Sequence, residues 1–190
     1  MMAKESDNIS LALELFQQAK TGDSQAFGRL YEMYFTPVYR FIWLRVREKE
    51  LADDLAQTVF LKVYEAISQV KDKAGSPLAY FFTVARNTVI DHWRKKKEVL
   101  IRQEEDVWIN IPDKAPGPAE QLGRKESANR VLESLDHLSD DQREIIILKF
   151  INQLSNKEIS ELTQRTEDAI RQTQCRALKS LRQIIKSYGE

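Results

Sequence analysis

Apolar residues recur three and four apart through almost the whole chain, and the turn-forming residues that would interrupt such a pattern are scarce: six Gly and five Pro in 190 residues. That periodicity puts one apolar stripe on each successive helix, so the chain reads as all-α. Three of the five prolines, Pro112, Pro116 and Pro118, fall with Gly117 and Gly123 in the one interval where the stripe is lost, residues 99–124. A continuous helix is not expected there, and the interval divides the chain into two small helical domains, 10–97 and 125–187, joined by a flexible acidic linker over 98–124. With 42% hydrophobic residues, both domains have material for a core.

In the first domain Asp23 is placed to cap a helix with the stripe Phe27, Leu30, Tyr31, Tyr34, Val38, Phe41 and Ile42, and Pro37 predicts a kink or break within it. A second stripe runs Leu51, Leu55, Val59, Val63, Ile67. After a polar turn over 71–75, Ser76 as N-cap and Pro77 at the first helical position open a third, carrying Leu78, Phe81, Phe82, Ala85 and Val89. Trp93 continues this stripe by four residues, which predicts core packing rather than base stacking.

Charge separates the chain by region rather than as a whole, since Lys+Arg and Asp+Glu each number 29. Residues 94–97 are an unbroken basic run, residues 171–186 carry five basic residues and no acid, and residues 98–120 hold six acids against Arg102 and Lys114. Two basic patches thus flank an acidic connector, an arrangement compatible with nucleic acid at either end. A single cysteine, Cys175, allows no internal disulfide, and with only His92 and His137 no metal set is expected. No cofactor is expected. No glycine-rich phosphate loop or nucleophile-base signature is present, which argues against an enzyme. The polar start and the lack of a long apolar run fit a cytoplasmic protein.

The second domain contains the clearest local motif. Ser155-Asn156-Lys157-Glu158 has capping-box spacing and opens a helix through Leu162. Thr166 can cap a following helix whose first turn holds Glu167 and Asp168, both favoured near the positive end of the helix dipole. Two short helices on a tight turn make a helix-turn-helix, although Gln164 stands where a glycine is often found. On the second helix Ile170, Ala177 and Leu181 share one face. Arg171, Gln172, Cys175, Arg176 and Lys179 then point outward, where Arg and Lys can reach phosphates and Arg and Gln can reach base edges.

Taken together, the motifs resemble the extracytoplasmic-function group of sigma-70-type RNA polymerase sigma factors. Residues 51–60, LADDLAQTVF, look like the polymerase-binding helix of sigma region two. Val84-Ala85-Arg86-Asn87 with Ile90-Asp91 and Arg94 is similar to the promoter-melting helix, and residues 154–159 with 169–171 and 176–178 resemble region four. Thr58 replaces a usual acid and Tyr80 a frequent Trp.

The resemblance implies a non-catalytic initiation factor that binds core RNA polymerase, directs it to promoters and promotes melting of the −10 element. It implies that Asp53, Asp54, Gln57, Phe60 and Leu61 grip the clamp helices of the largest polymerase subunits, with Asp54 beside an exposed Phe60. Ile145 to Phe150 would help hold the flap, against a plain core role for each Ile. Lys71, Lys73, Arg86, Asn87, Asp91 and Arg94 become candidates for the unstacked −10 strand. Arg165, Thr166, Arg171, Gln172, Cys175, Arg176 and Lys179 become candidates for the −35 duplex. The expected partners are core polymerase and promoter DNA, duplex and locally melted, with room for an anti-sigma protein. A stand-alone helix-turn-helix regulator is the alternative, but it would leave residues 53–60 and 86–94 unexplained. The two domains are expected to move independently, because the acidic tether lacks apolar surface to dock.

Overall fold

A computed structural model of the chain describes residues 2–70, 76–103 and 132–187. Among them there are helices and turns and no strand. Four long helices form an N-terminal unit: α1 (Met2–Lys20), α2 (Ser24–Val46), α3 (Lys49–Ala66) and α4 (Pro77–Gln103), with a 3₁₀ turn Ile67–Gln69 after α3. The C-terminal unit begins with a helical stretch at 132–136. It continues through α5 (Asp140–Ile146), a π-helical turn Ile147–Ile151, α6 (Asn156–Thr163) and α7 (Glu167–Ser187).

The caps sit where the sequence places them. Asp23 accepts from the Gln25 and Ala26 amides at 2.9 and 3.1 Å, and the Ser76 hydroxyl accepts from the Ala79 amide at 3.2 Å. Each satisfies a backbone donor that has no partner within its helix. Pro37 breaks nothing: α2 runs through it. Its ring costs a helix interior roughly 3 kcal/mol. Leu30, Tyr34, Val38, Phe41 and Ile42 on the same helix are all buried, and each full burial is worth about 1.5–3 kcal/mol. The stripe outweighs the proline. Tyr34 lies against Phe81 with ring centres 5.1 Å apart, and burial pushes its hydroxyl up to about 12.

Helix α4 continues past Lys97 to Gln103, further than the sequence reading allows. Residues 98–103 hold no Pro or Gly, and the next helix-disfavouring residue in the sequence is Pro112. Because α4 overhangs the bundle, Trp93 is not core: it is 41% exposed, with Lys96 over its ring at 5.3 Å. The expected tether from 104 onward lies outside the described residues.

The two units touch in this structure. Their buried residues form one continuous cluster, with α4 packed on α6 and α2 against the π-helical turn. The Asn152 amide donates to the Pro37 carbonyl at 3.1 Å, and the Ser76 hydroxyl donates to Glu158 at 2.7 Å. The expectation of independent domains rested on the tether. Docking is made instead by the faces of the helices.

Candidate functional site

Three surfaces gather the residues singled out from the sequence. The first is the outer face of α3. Asp54, Gln57 and Leu61 are exposed and Asp53 half-buried, so four of the five expected residues share this surface. Helix α2 packs along α3, and desolvation, with the Asp53 carboxylate, pushes the Tyr39 hydroxyl up. Phe60 does not belong to it. It is 4% exposed and packs between Tyr31 and Phe81, at 4.6 and 5.2 Å, so it supports the face from beneath. The apolar contribution at the surface comes from Leu61, 58% exposed, with Tyr64 and Tyr31. By spacing alone Tyr31 reads as buried stripe and Tyr64 stands in no motif; the recurrence of Tyr31, Phe35 and Tyr39 four apart along α2, stacked in turn, is the signal that marks this patch. The Thr58 hydroxyl turns back and donates to the Asp54 carbonyl at 2.9 Å.

The second surface is the mid-length of α4. Asn87 and Arg94 are exposed, and Asp91 pairs with Arg94 at 3.2 Å. Arg86 is different. Its Nε donates to Glu144 of α5 at 3.0 Å, and Arg45 Nη1 donates to the same carboxylate oxygen at 2.7 Å. Glu144 is only 5% exposed. Beside this triad Arg47 donates to both Asp136 oxygens, at 3.3 and 3.2 Å, and to the Leu132 carbonyl at 2.6 Å. A cleft of about 640 Å³, walled by Arg45, Arg47, Arg86, Trp93, Asp136 and Glu144 among others, opens next to these contacts. No sequence pattern announces the pairing, since Glu144 lies 99 residues from Arg45 and 58 from Arg86. Lys71 and Lys73 lie outside the described residues.

The third surface is α7. In the capping box at the start of α6, the Glu158 amide donates to Ser155 Oγ at 3.2 Å and the Ser155 amide donates to Glu158 at 2.8 Å. A second box, Ser139 with Gln142, opens α5; its S-x-x-Q spacing was readable. Gln164 ends α6 in the left-handed region at φ 59°, the conformation a glycine there would supply. Thr166 then caps α7 through the Ala169 amide at 3.2 Å. Ile170, Thr173 and Ala177 face inward, while Arg171, Gln172, Cys175, Arg176 and Lys179 are exposed, as is Thr166. Two of the candidates already hold carboxylates: Arg171 reaches Asp168 at 3.1 Å and Arg165 reaches Asp141 at 2.7 Å. Ile145, Ile146, Ile147 and Leu148 are core, so of the expected flap segment Phe150 is the large apolar side chain left at the surface.

A helix-turn-helix with an outward polar and basic helix, joined to a four-helix unit with a mixed acidic and apolar face, agrees with comparison to known proteins. Residues 30–99 match the family model for Sigma-70 region 2, and residues 128–181 match that for Sigma-70, region 4. The ECF RNA polymerase sigma factor BldN of Streptomyces coelicolor is 30% identical over 96% of this chain and 69% of its own length. In fold the chain is similar to CnrH, solved with the cytosolic domain of CnrY: TM-score 0.71, 20% identity, covering 93% of this chain and 98% of that one. It is also similar to the sigma factor RpoE of Bartonella quintana, solved with the anti-sigma factor NepR, at TM-score 0.69 and 21% identity over 84% and 96% of the two chains. The chain belongs to the ECF RNA polymerase sigma factors of the sigma-70 family. Such a protein is a transcription initiation factor: it binds core RNA polymerase and directs initiation at specific promoters. The stand-alone regulator fits these findings less well.

Proposed function

We propose a division of labour between the two units, in which neither performs covalent chemistry. Region 2 docks on core polymerase through Asp53, Asp54, Gln57 and Leu61 of α3, with Tyr31 and Tyr64 beside them. Carboxylates around an exposed aliphatic and aromatic patch suit a partner's basic helical surface. The outer side of α4, with Arg86, Asn87, Asp91 and Arg94, and the preceding turn with Lys71 and Lys73, receive the −10 strand once it is unstacked. Extruding a base costs a few kcal/mol, offset by contacts to base and backbone.

Region 4 reads the −35 element as duplex through Arg165, Thr166, Arg171, Gln172, Cys175, Arg176 and Lys179. The observation that carries this reading is the partition of α7, with Ile170, Thr173 and Ala177 buried and the polar and basic residues outward. The protein works in the cytoplasm, where its polymerase is; no described helix is long and apolar enough to cross a membrane. An anti-sigma protein is a further partner in this reading, in keeping with the complex solved for the similarly folded RpoE.

The test separates duplex recognition from melting. Arg171→Ala weakens recruitment to a closed promoter by roughly 1–3 kcal/mol where a base contact is lost. Asn87→Ala impairs opening, and a template with a pre-melted bubble restores most of its activity. An equal response of both variants to the bubble, with folding and polymerase binding intact, contradicts the division.

A further inference from the structure

Arg171 stands outward on the helix assigned to the −35 duplex, yet its guanidinium is already engaged on one side. Its Nε and Nη2 both donate to a single Asp168 carboxylate oxygen, at 3.3 and 3.1 Å, one turn earlier on α7. Glu167 stands 3.7 Å from Nη1, too far for a hydrogen bond but close enough to act as a charge. We propose that Asp168 is a positioning residue of the −35 reader: it fixes the Nε side of Arg171 so that the Nη1–Nη2 end meets the edge of a guanine, and it disfavours a phosphate in that place. The inference rests on the assignment of α7 to the −35 duplex.

An acid at the start of α7 is favoured by the helix dipole alone. Two observations give Asp168 more to do. The capping belongs to another residue: Thr166 accepts from the Ala169 amide at 3.2 Å, while the Asp168 carboxylate is turned to the Arg171 side chain. Both partners are also exposed, the side chains at 57% for Arg171 and 84% for Asp168, and an ion pair in water contributes little to stability. What the pair supplies is direction. A guanidinium free to swing meets phosphates and bases alike, whereas one held along its Nε side presents a fixed end.

With the Nε–Nη2 edge taken, Nη1 and the second N–H of Nη2 form a forward pair whose spacing matches O6 and N7 of guanine in the major groove. No other base offers two acceptors to that pair there. The carboxylate adds discrimination by charge. A guanine edge is neutral and tolerates an anion behind the guanidinium. A phosphate is repelled by it, the more so once docking excludes water. Asp168 therefore lowers affinity for duplex at large and raises selectivity for guanine at one position. Selectivity is a difference of affinities, and here the repulsive element sits beside the attractive one.

The test uses the full chain bound to core polymerase and a genomic promoter fragment that this complex binds, its −35 element randomised and its strands kept paired by low temperature. Bound duplexes are sequenced, and affinity is followed against salt. The parent should select guanine at one −35 position, and Arg171→Ala should lose that selection. Asp168→Ala should reduce it about fivefold and raise affinity for duplexes that lack a −35 element. Its salt slope should steepen by about 1, because the released Arg171 neutralises one phosphate more. Should Asp168→Ala not fold, Asp168→Asn, which keeps an acceptor and loses the charge, should show the steeper slope with a smaller loss of selection. Parent-like selection and slope in a folded Asp168 variant, with Arg171→Ala defective, overturn the proposal and leave the α7 assignment standing. Equal weakening at every sequence also overturns it, since Asp168 would then be a helix-end charge alone. Unchanged selection in Arg171→Ala overturns the α7 assignment itself, and the proposal with it.

Discussion

Gln164 holds a backbone conformation that its own side chain disfavours. At φ 59° a non-glycine residue pays roughly 1 kcal/mol relative to glycine, so Gln164→Gly should stabilise the C-terminal unit by about that amount, read as a raised urea midpoint. Glu158 is a second residue with a measurable signature. Burial raises its pKa, but hydrogen bonds from Ser76 and from the Ser155 amide and hydroxyl, with Lys149 nearby, outweigh burial and hold it below the ordinary 4.5. A carboxyl lowered on folding contributes stability fully above its unfolded pKa and loses it as pH falls through the folded one. Stability should therefore decline below about pH 4.5, and Glu158→Gln should flatten that part of the profile. A Gln variant with the parent's acid limb would remove Glu158 as the cause. Gln164 and the Ser155–Glu158 capping box are legible in the sequence because they are local, whereas the Ser76 partner of Glu158, 82 residues away, is not. Nor is Glu144, because its partners are remote and it begins a run that reads as apolar.

Among the helices, periodicity carried α2, α3, α4 and α7 into view, and capping spacing carried the start of α6. Sequence reasoning failed where packing overrode a local rule. Pro37 reads as a kink or break, and α2 continues through it because its buried face outweighs the proline, while Trp93 reads as core but lies beyond the end of the bundle that would bury it. Phe60 failed in the opposite sense: it belongs to a polymerase-binding motif by position, yet it is the support for that face and not its surface. The capping box is the element-scale prediction. Ser155→Ala should cost about 1 kcal/mol of stability through the lost α6 cap. It should also loosen the Ser76 contact, because Glu158 loses the partner that orients it. A thermal midpoint equal to the parent's would show the cap to be immaterial.

At the scale of the whole molecule, two helical units with different surfaces are docked, and what the protein does depends on a third body, the polymerase. A helix-turn-helix alone would serve a repressor equally well; the α3 face has a use only if polymerase binds there. Asp54→Arg puts a cation where the proposal needs an anion, and a central interface charge reversed in this way should cost about 2 kcal/mol or more, about 30-fold in affinity. The direct measurement is transcription in vitro with purified core polymerase on genomic fragments, with start sites mapped with and without the protein. New start sites should depend on the added chain and fall sharply with folded Asp54→Arg. Unchanged start sites, together with tight binding of the chain alone to duplex DNA, would contradict the account.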